Sequence, residues 1–234
     1  MFRILSLLLI LLSFFSCQNE NTEPSTTDEP KKTYTYLALG DSYTIGESVA
    51  RDSTYPALLS ADFEADSIIV DYKIVATTGW TTDELNAGIN QEKPSSDYDM
   101  VSLLIGVNNQ FRERDTSVYA QEFEDLLQRA IVFAQGETKK VFVVSIPDYA
   151  FTSYGQSEEA DTDAITKGIN DFNAINKRIT TAYNIAYFDI TPISRNGLDD
   201  TALVASDGLH PSGAQYALWV DLMYDEVKEL LLEE

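Results

Sequence analysis

Five stretches of the chain, 34–39, 68–76, 100–105, 141–146 and 186–190, are rich in β-branched and other apolar residues. Four of them are nearly unbroken apolar runs, the pattern of strands covered on both faces. The stretch 68–76 carries Asp71 and Lys73, which predicts a place nearer the edge of a sheet. Between these runs the apolar period lengthens to three or four. Tyr119, Phe123, Leu126, Leu127, Ala130 and Ile131 share one helical face, and so do Ile165, Ile169, Phe172, Ile175 and Ile179. Thr81-Thr82-Asp83-Glu84 reads as a capping box opening another helix, and 214–232 reads as a closing helix. Strands alternating with helices predict an α/β fold: three layers, α/β/α, around a flavodoxin-like doubly wound sheet of about five parallel strands. No repeat and no second domain is visible.

The N-terminal pattern differs. After Arg3, the run 4–15 is apolar apart from Ser6 and Ser13. That is short of the about 20 residues needed to span a bilayer but suits the core of a signal peptide. The run ends in Phe14-Phe15-Ser16-Cys17, which resembles a bacterial lipobox, whose cysteine is lipidated after cleavage; Leu is commoner than Phe14 at its first position. Cys17 is the only cysteine, so no intramolecular disulfide can form. Residues 18–32 contain no apolar side chain and read as an extended tether. The expected organisation is a lipoprotein signal peptide at 1–16, a tether at 17–32 from lipidated Cys17, and one folded domain at 33–234. The expected location is the bacterial envelope, with the membrane reached only through the lipid anchor.

The length of 234 residues allows one domain with a full core. A net charge of −22 repels phosphate backbones and anionic headgroups, so nucleic acid is not an expected partner. It indicates nothing else about the substrate.

In a doubly wound sheet, ligands bind outside the carboxyl ends of the strands. Gly40-Asp41-Ser42 follows the first expected strand, Gly106-Val107-Asn108-Asn109 the third and Pro147-Asp148-Tyr149 the fourth. Alone, Gly-Asp-Ser is an ordinary turn and helix cap. The only histidine changes its meaning. It stands in Asp207-Gly208-Leu209-His210-Pro211, just before the last helix. A serine hydroxyl needs a base to become a nucleophile, and a carboxylate three residues before the imidazole can hold Nδ1 and set the tautomer.

Together these segments resemble the GDSL/SGNH hydrolase superfamily over residues 34–234. Ser42 in Gly40-Asp41-Ser42-Tyr43-Thr44 matches its nucleophile block, Gly79 in Thr78-Gly79-Trp80-Thr81-Thr82 its glycine block, and Asn108 its asparagine block. Asp207 and His210 match its terminal Asp-x-x-His. The resemblance implies a serine carboxylesterase. Ser42 would be the nucleophile, His210 the base and Asp207 its orienter. The Ser42 N–H, the Gly79 N–H and the Asn108 amide would form the oxyanion hole. It implies no cofactor, and the sequence has no metal-ligand spacing. The family's third block usually ends in Asp, where this chain has Asn109, so any contact made there by a carboxylate is in question.

Expected pocket residues are Asp41, Tyr43, Thr44, Trp80, Asn109, Gln110, Phe111, Arg112, Asp148 and Tyr149, with 146–156 and 191–206 as cleft walls. The expected substrate is a small acyl ester or an O-acetylated carbohydrate. The alternatives are a lysophospholipase or lipase of the same family, for which no long apolar lid is visible, and a catalytically idle glycan-binding lipoprotein. Nothing in the sequence fixes an oligomeric state.

Overall fold

The computed structural model describes residues 32–233. The expected signal peptide, Cys17 and the tether up to residue 31 lie outside the described residues.

In chain order the elements are β1 (Thr33–Gly40), α1 (Ser42–Ile45), α2 (Tyr55–Ala65), β2 (Ile69–Ala76), α3 (Thr82–Glu92), β3 (Met100–Leu104) and α4 (Val107–Phe111). They continue with α5 (Thr116–Phe133), β4 (Val141–Val144), α6 (Thr162–Ala182), β5 (Ala186–Phe188), α7 (Thr191–Ser194) and α8 (Gly213–Leu232). The five strands form one sheet in the order β2-β1-β3-β4-β5, and every pairing is parallel. Tyr36 to Leu39 of β1 and all of β3 and β4 are buried, which is why those runs carry no polar alternation. β2 is an edge strand, as Asp71 and Lys73 foretold, and its Ile69 is exposed.

α2 packs with α8, and α5 packs with α3 and α6, giving the helical layers either side of the sheet. The Thr81 capping box forms as read, with the Glu84 carboxylate accepting from the Thr81 N–H at 2.9 Å. α2 carries no sequence expectation. Thr54 caps it and Pro56 sits in its first turn; the buried Tyr55, Leu59 and Phe63 recur every four residues on one face, but Ala57, Leu58, Ala61 and Ala65 fall elsewhere around the helix and blur that stripe in the sequence. β4 and β5 stop before the ends of their apolar runs. There the Ser145 hydroxyl accepts from the N–H groups of Ile190 and Thr191, at 2.9 and 3.1 Å, and a side chain replaces the ladder.

The chain leaves β1 for β2 on one side and returns past β1 to β3 on the other. That reversal opens a crevice beyond the carboxyl ends of β1 and β3, where Ser42 begins α1 and Asn108 lies in the first turn of α4.

Candidate active site

β1 ends at Gly40, where any Cβ would collide with the Thr44 side chain and the Leu104 carbonyl. The chain therefore turns sharply into the four-residue α1. Asp41 caps that turn, its Oδ1 accepting from the Tyr43 N–H at 3.0 Å. Ser42 occupies the first helical position and is 4% exposed. First-turn N–H groups have no intrahelical acceptor, so that of Ser42 points out of the turn.

His210 is held by Asp207 through a loop closed on itself. Asp207 Oδ2 lies 2.6 Å from His210 Nδ1, while Oδ1 accepts from the backbone N–H groups of Leu209 and His210 at 2.9 and 3.0 Å. Gly208 between them has φ +73°, a left-handed conformation that suits glycine. The Ser48 hydroxyl donates to the same Oδ2 at 2.6 Å. Partial burial opposes the charge on Asp207. The hydrogen bonds from Ser48, His210 and the two backbone groups outweigh it and hold the carboxyl well below the usual carboxylate range. It is a fixed anion against Nδ1, which leaves Nε2 as the other face of the ring. The Tyr43 ring meets the imidazole edge-on, with centroids 5.7 Å apart.

A third group of contacts holds the loop before α3. From α4, Asn108 Nδ2 donates to the Trp80 carbonyl at 3.0 Å. Asn109 Oδ1 accepts from the Thr82 N–H at 3.1 Å and its Nδ2 donates to the Thr82 hydroxyl at 2.7 Å. That hydroxyl donates in turn to Glu122. Arg112 donates to the Gly79 carbonyl at 2.7 Å and pairs with Glu84 at 3.2 Å. Three polar side chains of one short segment thus hold residues 79, 80 and 82. Gly79 has φ +88°, and a Cβ there would meet only the Arg112 guanidinium at an ordinary 3.8 Å, so backbone conformation and not crowding calls for glycine.

Ser42, Asn108 and His210 line one cavity of about 140 Å³ together with Tyr43, Val107, Phe111, Tyr149, Tyr154 and Leu209. Burial pushes the Tyr149 phenol up to about 12, so it stays neutral. The expected pocket residues divide. Tyr43, Phe111 and Tyr149 line this cavity, and Gln110 lines a neighbouring one. Asp41, Thr44, Asn109 and Asp148 are buried inside the fold instead. Asp148 is paired with Arg195 at 3.0 Å. Trp80 lies over Gly88 of α3, and Arg112 is occupied by Gly79 and Glu84. Ser48, Tyr154 and Leu209 were not singled out by sequence. Tyr154 falls in an expected cleft wall, whereas no local pattern marks Ser48.

Residues 38–218 match the GDSL-like lipase/acylhydrolase family. No protein of curated function matches the chain by sequence. Among solved structures, a lipase/acylhydrolase from Enterococcus faecalis superposes with a TM-score of 0.62 at 22% identity, over 84% of this chain and 96% of that one. An esterase from Pseudoalteromonas sp., inhibited by monoethylphosphonate, gives 0.61 at 18% identity, over 85% and 99%. An acetyl xylan esterase from Geobacillus stearothermophilus gives 0.61 at 20% identity, over 83% and 94%. At these identities the likeness is one of fold, while the family match spans most of the chain from β1 into α8. The chain belongs to the GDSL-like lipase/acylhydrolase family and is an ester hydrolase.

Proposed function

We propose that this hydrolase removes short acyl groups, acetyl above all, from small or carbohydrate alcohols through an acyl-enzyme on Ser42. The observation that carries the reading is the convergence of Ser42, Asn108 and the Asp207-held His210 on one small cavity. In this mechanism His210 Nε2 takes the proton from the Ser42 hydroxyl as Oγ attacks the ester carbonyl. Asp207 keeps Nδ1 protonated and stabilises the imidazolium. The oxyanion forms against the Ser42 N–H, the Gly79 N–H and the second hydrogen of Asn108 Nδ2, whose first is held by Trp80. The imidazolium then protonates the departing alcohol, and water repeats the sequence to release the acid.

A cavity of about 150 Å³ holds a benzene-sized body, so one of about 140 Å³ favours acetyl to butyryl over a long acyl chain. The acetyl xylan esterase of the same fold is consistent with that preference. Inhibition of the Pseudoalteromonas esterase by a phosphonate is consistent with a nucleophile of this kind.

A fluorophosphonate probe should label the wild type and leave Ser42→Ala unlabelled, with kcat lowered on the order of 10⁴–10⁶-fold. Asn108→Ala should lower kcat by about 10²–10³-fold. Across p-nitrophenyl esters, kcat/KM should fall beyond butyrate. Undiminished labelling of Ser42→Ala would refute the mechanism, and a preference for decanoate would refute the acyl preference.

The hydrophobic run, the cysteine and the polar stretch after it support display as an envelope lipoprotein: signal peptide 1–16, tether from Cys17, hydrolase domain 33–234. Metabolic labelling with an alkyne fatty acid should mark the wild type and not Cys17→Ser.

A further inference from the structure

We propose that the larger cavity beside the Ser42 cavity is the subsite for the alcohol half of the ester, and that it takes an uncharged sugar chain. The proposal rests on the esterase reading of Ser42. The second cavity measures about 590 Å³ and shares Phe111, Tyr149 and Tyr154 with the first. The two spaces differ as the halves of such a substrate would. The inner one has room for a short acyl group, whereas the outer one falls in the range of about 300–1,000 Å³ that holds larger ligands.

The shared wall is aromatic and open. Phe111 is 54% exposed and Tyr154 46% exposed, and the Phe111 and Tyr149 rings meet edge-to-face with centroids 6.2 Å apart. Rings left in water at the mouth of a nucleophile cavity offer flat apolar faces to the C–H faces of a sugar. The wall is also fixed relative to the base. The Tyr154 N–H and the Ser153 hydroxyl donate to the Gly208 carbonyl, at 2.9 and 3.1 Å, inside the loop that holds His210.

Beyond the rings the lining turns polar. Glu113, Glu159 and Asp161 face the cavity, and no Lys or Arg is among its lining residues. Asp161 is fixed there by accepting from the Ala164 N–H at 3.0 Å. A carboxylate or phosphate on the alcohol would meet three like charges with no counter-charge, which disfavours uronic acids and phospholipid headgroups. An alkyl chain fits no better, because it would strip water from those carboxylates.

The test compares three esters on the wild type, Tyr154→Ala and Glu159→Lys: p-nitrophenyl acetate, O-acetylated xylotriose and O-acetylated trigalacturonate. In the wild type, kcat/KM for the xylotriose ester should exceed that for the trigalacturonate ester by about tenfold or more. In Tyr154→Ala, the ratio of kcat/KM on acetylated xylotriose to that on p-nitrophenyl acetate should fall about tenfold, chiefly through KM. Glu159→Lys should narrow the gap between the neutral and acidic oligosaccharides by roughly threefold or more. An unchanged ratio in Tyr154→Ala, or equal use of both oligosaccharides by the wild type, would overturn the subsite while leaving the esterase intact. Hydrolysis of none of the three esters by the wild type would instead sink the esterase reading and the subsite with it.

Discussion

Asn109 stands where relatives of this kind usually have an aspartate, and its surroundings explain the exchange. It is 1% exposed and faces Thr82, giving and accepting one hydrogen bond each. The Thr82 hydroxyl has a single proton and donates it to Glu122, so its remaining partner must be a donor. An amide nitrogen meets that need, and an ionised carboxylate at 109 would not. Asn109→Asp should therefore cost about 1–3 kcal/mol of stability and lower kcat, because Thr82 opens the helix behind Gly79 and Trp80. Adding Glu122→Gln supplies a donor on the other side of the hydroxyl, whose own proton can then turn towards the introduced carboxylate. Urea denaturation and initial rates on p-nitrophenyl acetate would check both steps; a double variant no better than the single one would show that the relay does not set the residue at 109.

The same logic extends from residues to elements. α4 has only five residues, yet with its cap Arg112 it holds Gly79, Trp80 and Thr82. α3 supports that loop from beneath, with Gly88 against the Trp80 indole. A methyl group at 88 would collide with the ring and push on the residue whose carbonyl orients Asn108. Gly88→Ala should destabilise by about 1–3 kcal/mol as an overpacked site. On the proposed mechanism it should also lower kcat more than it raises KM, since a loosened Asn108 would act on the transition state. Thermal melting with steady-state kinetics separates the two effects, and a lowered melting temperature with unchanged kcat would uncouple the loop from the chemistry. Elements of this fold were legible to different degrees for physical reasons. β1 from Tyr36 to Leu39, β3 and β4 announce themselves because burial on both faces removes the polar alternation. α2 stays hidden because Ala57, Leu58, Ala61 and Ala65 spread apolar residues around the helix and mask the buried stripe of Tyr55, Leu59 and Phe63. At the site, Asp207 and His210 are readable because three residues suffice to join them. Ser48 reaches Asp207 across 159 positions, and Tyr154 joins Phe111 and Tyr149 only through the folded loop, so no local pattern marks either.

At the scale of the whole molecule, charge dominates. With 38 acidic and 16 basic residues, the folded chain repels itself at neutral pH, and stability should rise as acid reduces that charge. One buried group adds to this trend. Asp41 is fully buried, one oxygen takes the Tyr43 N–H, and the other has no hydrogen-bond partner among the described residues. Burial therefore pushes its carboxyl up to about 7. In the unfolded chain it would titrate near 3.9, so between about 4 and 7 the folded protein keeps a proton that the unfolded one has released. Stability from Asp41 is thus fully present below about pH 4 and is lost as pH rises through about 7, by an amount of the order of a few kcal/mol. Asp207 works in the opposite sense. Its folded carboxyl lies below its unfolded value, so its contribution holds above about pH 4 and is lost in stronger acid. Melting temperatures between pH 5 and pH 8 should accordingly fall with rising pH, by a few degrees to about 10 °C. Asp41→Asn keeps an acceptor for the Tyr43 N–H but has no proton to lose. Its profile of melting temperature against pH should be flatter over the same range, and the difference between the two profiles isolates Asp41, because every other titratable group is common to both. Parallel profiles would mean that the carboxyl beside Ser42 is already ionised at pH 5, and that self-repulsion alone shapes the pH dependence.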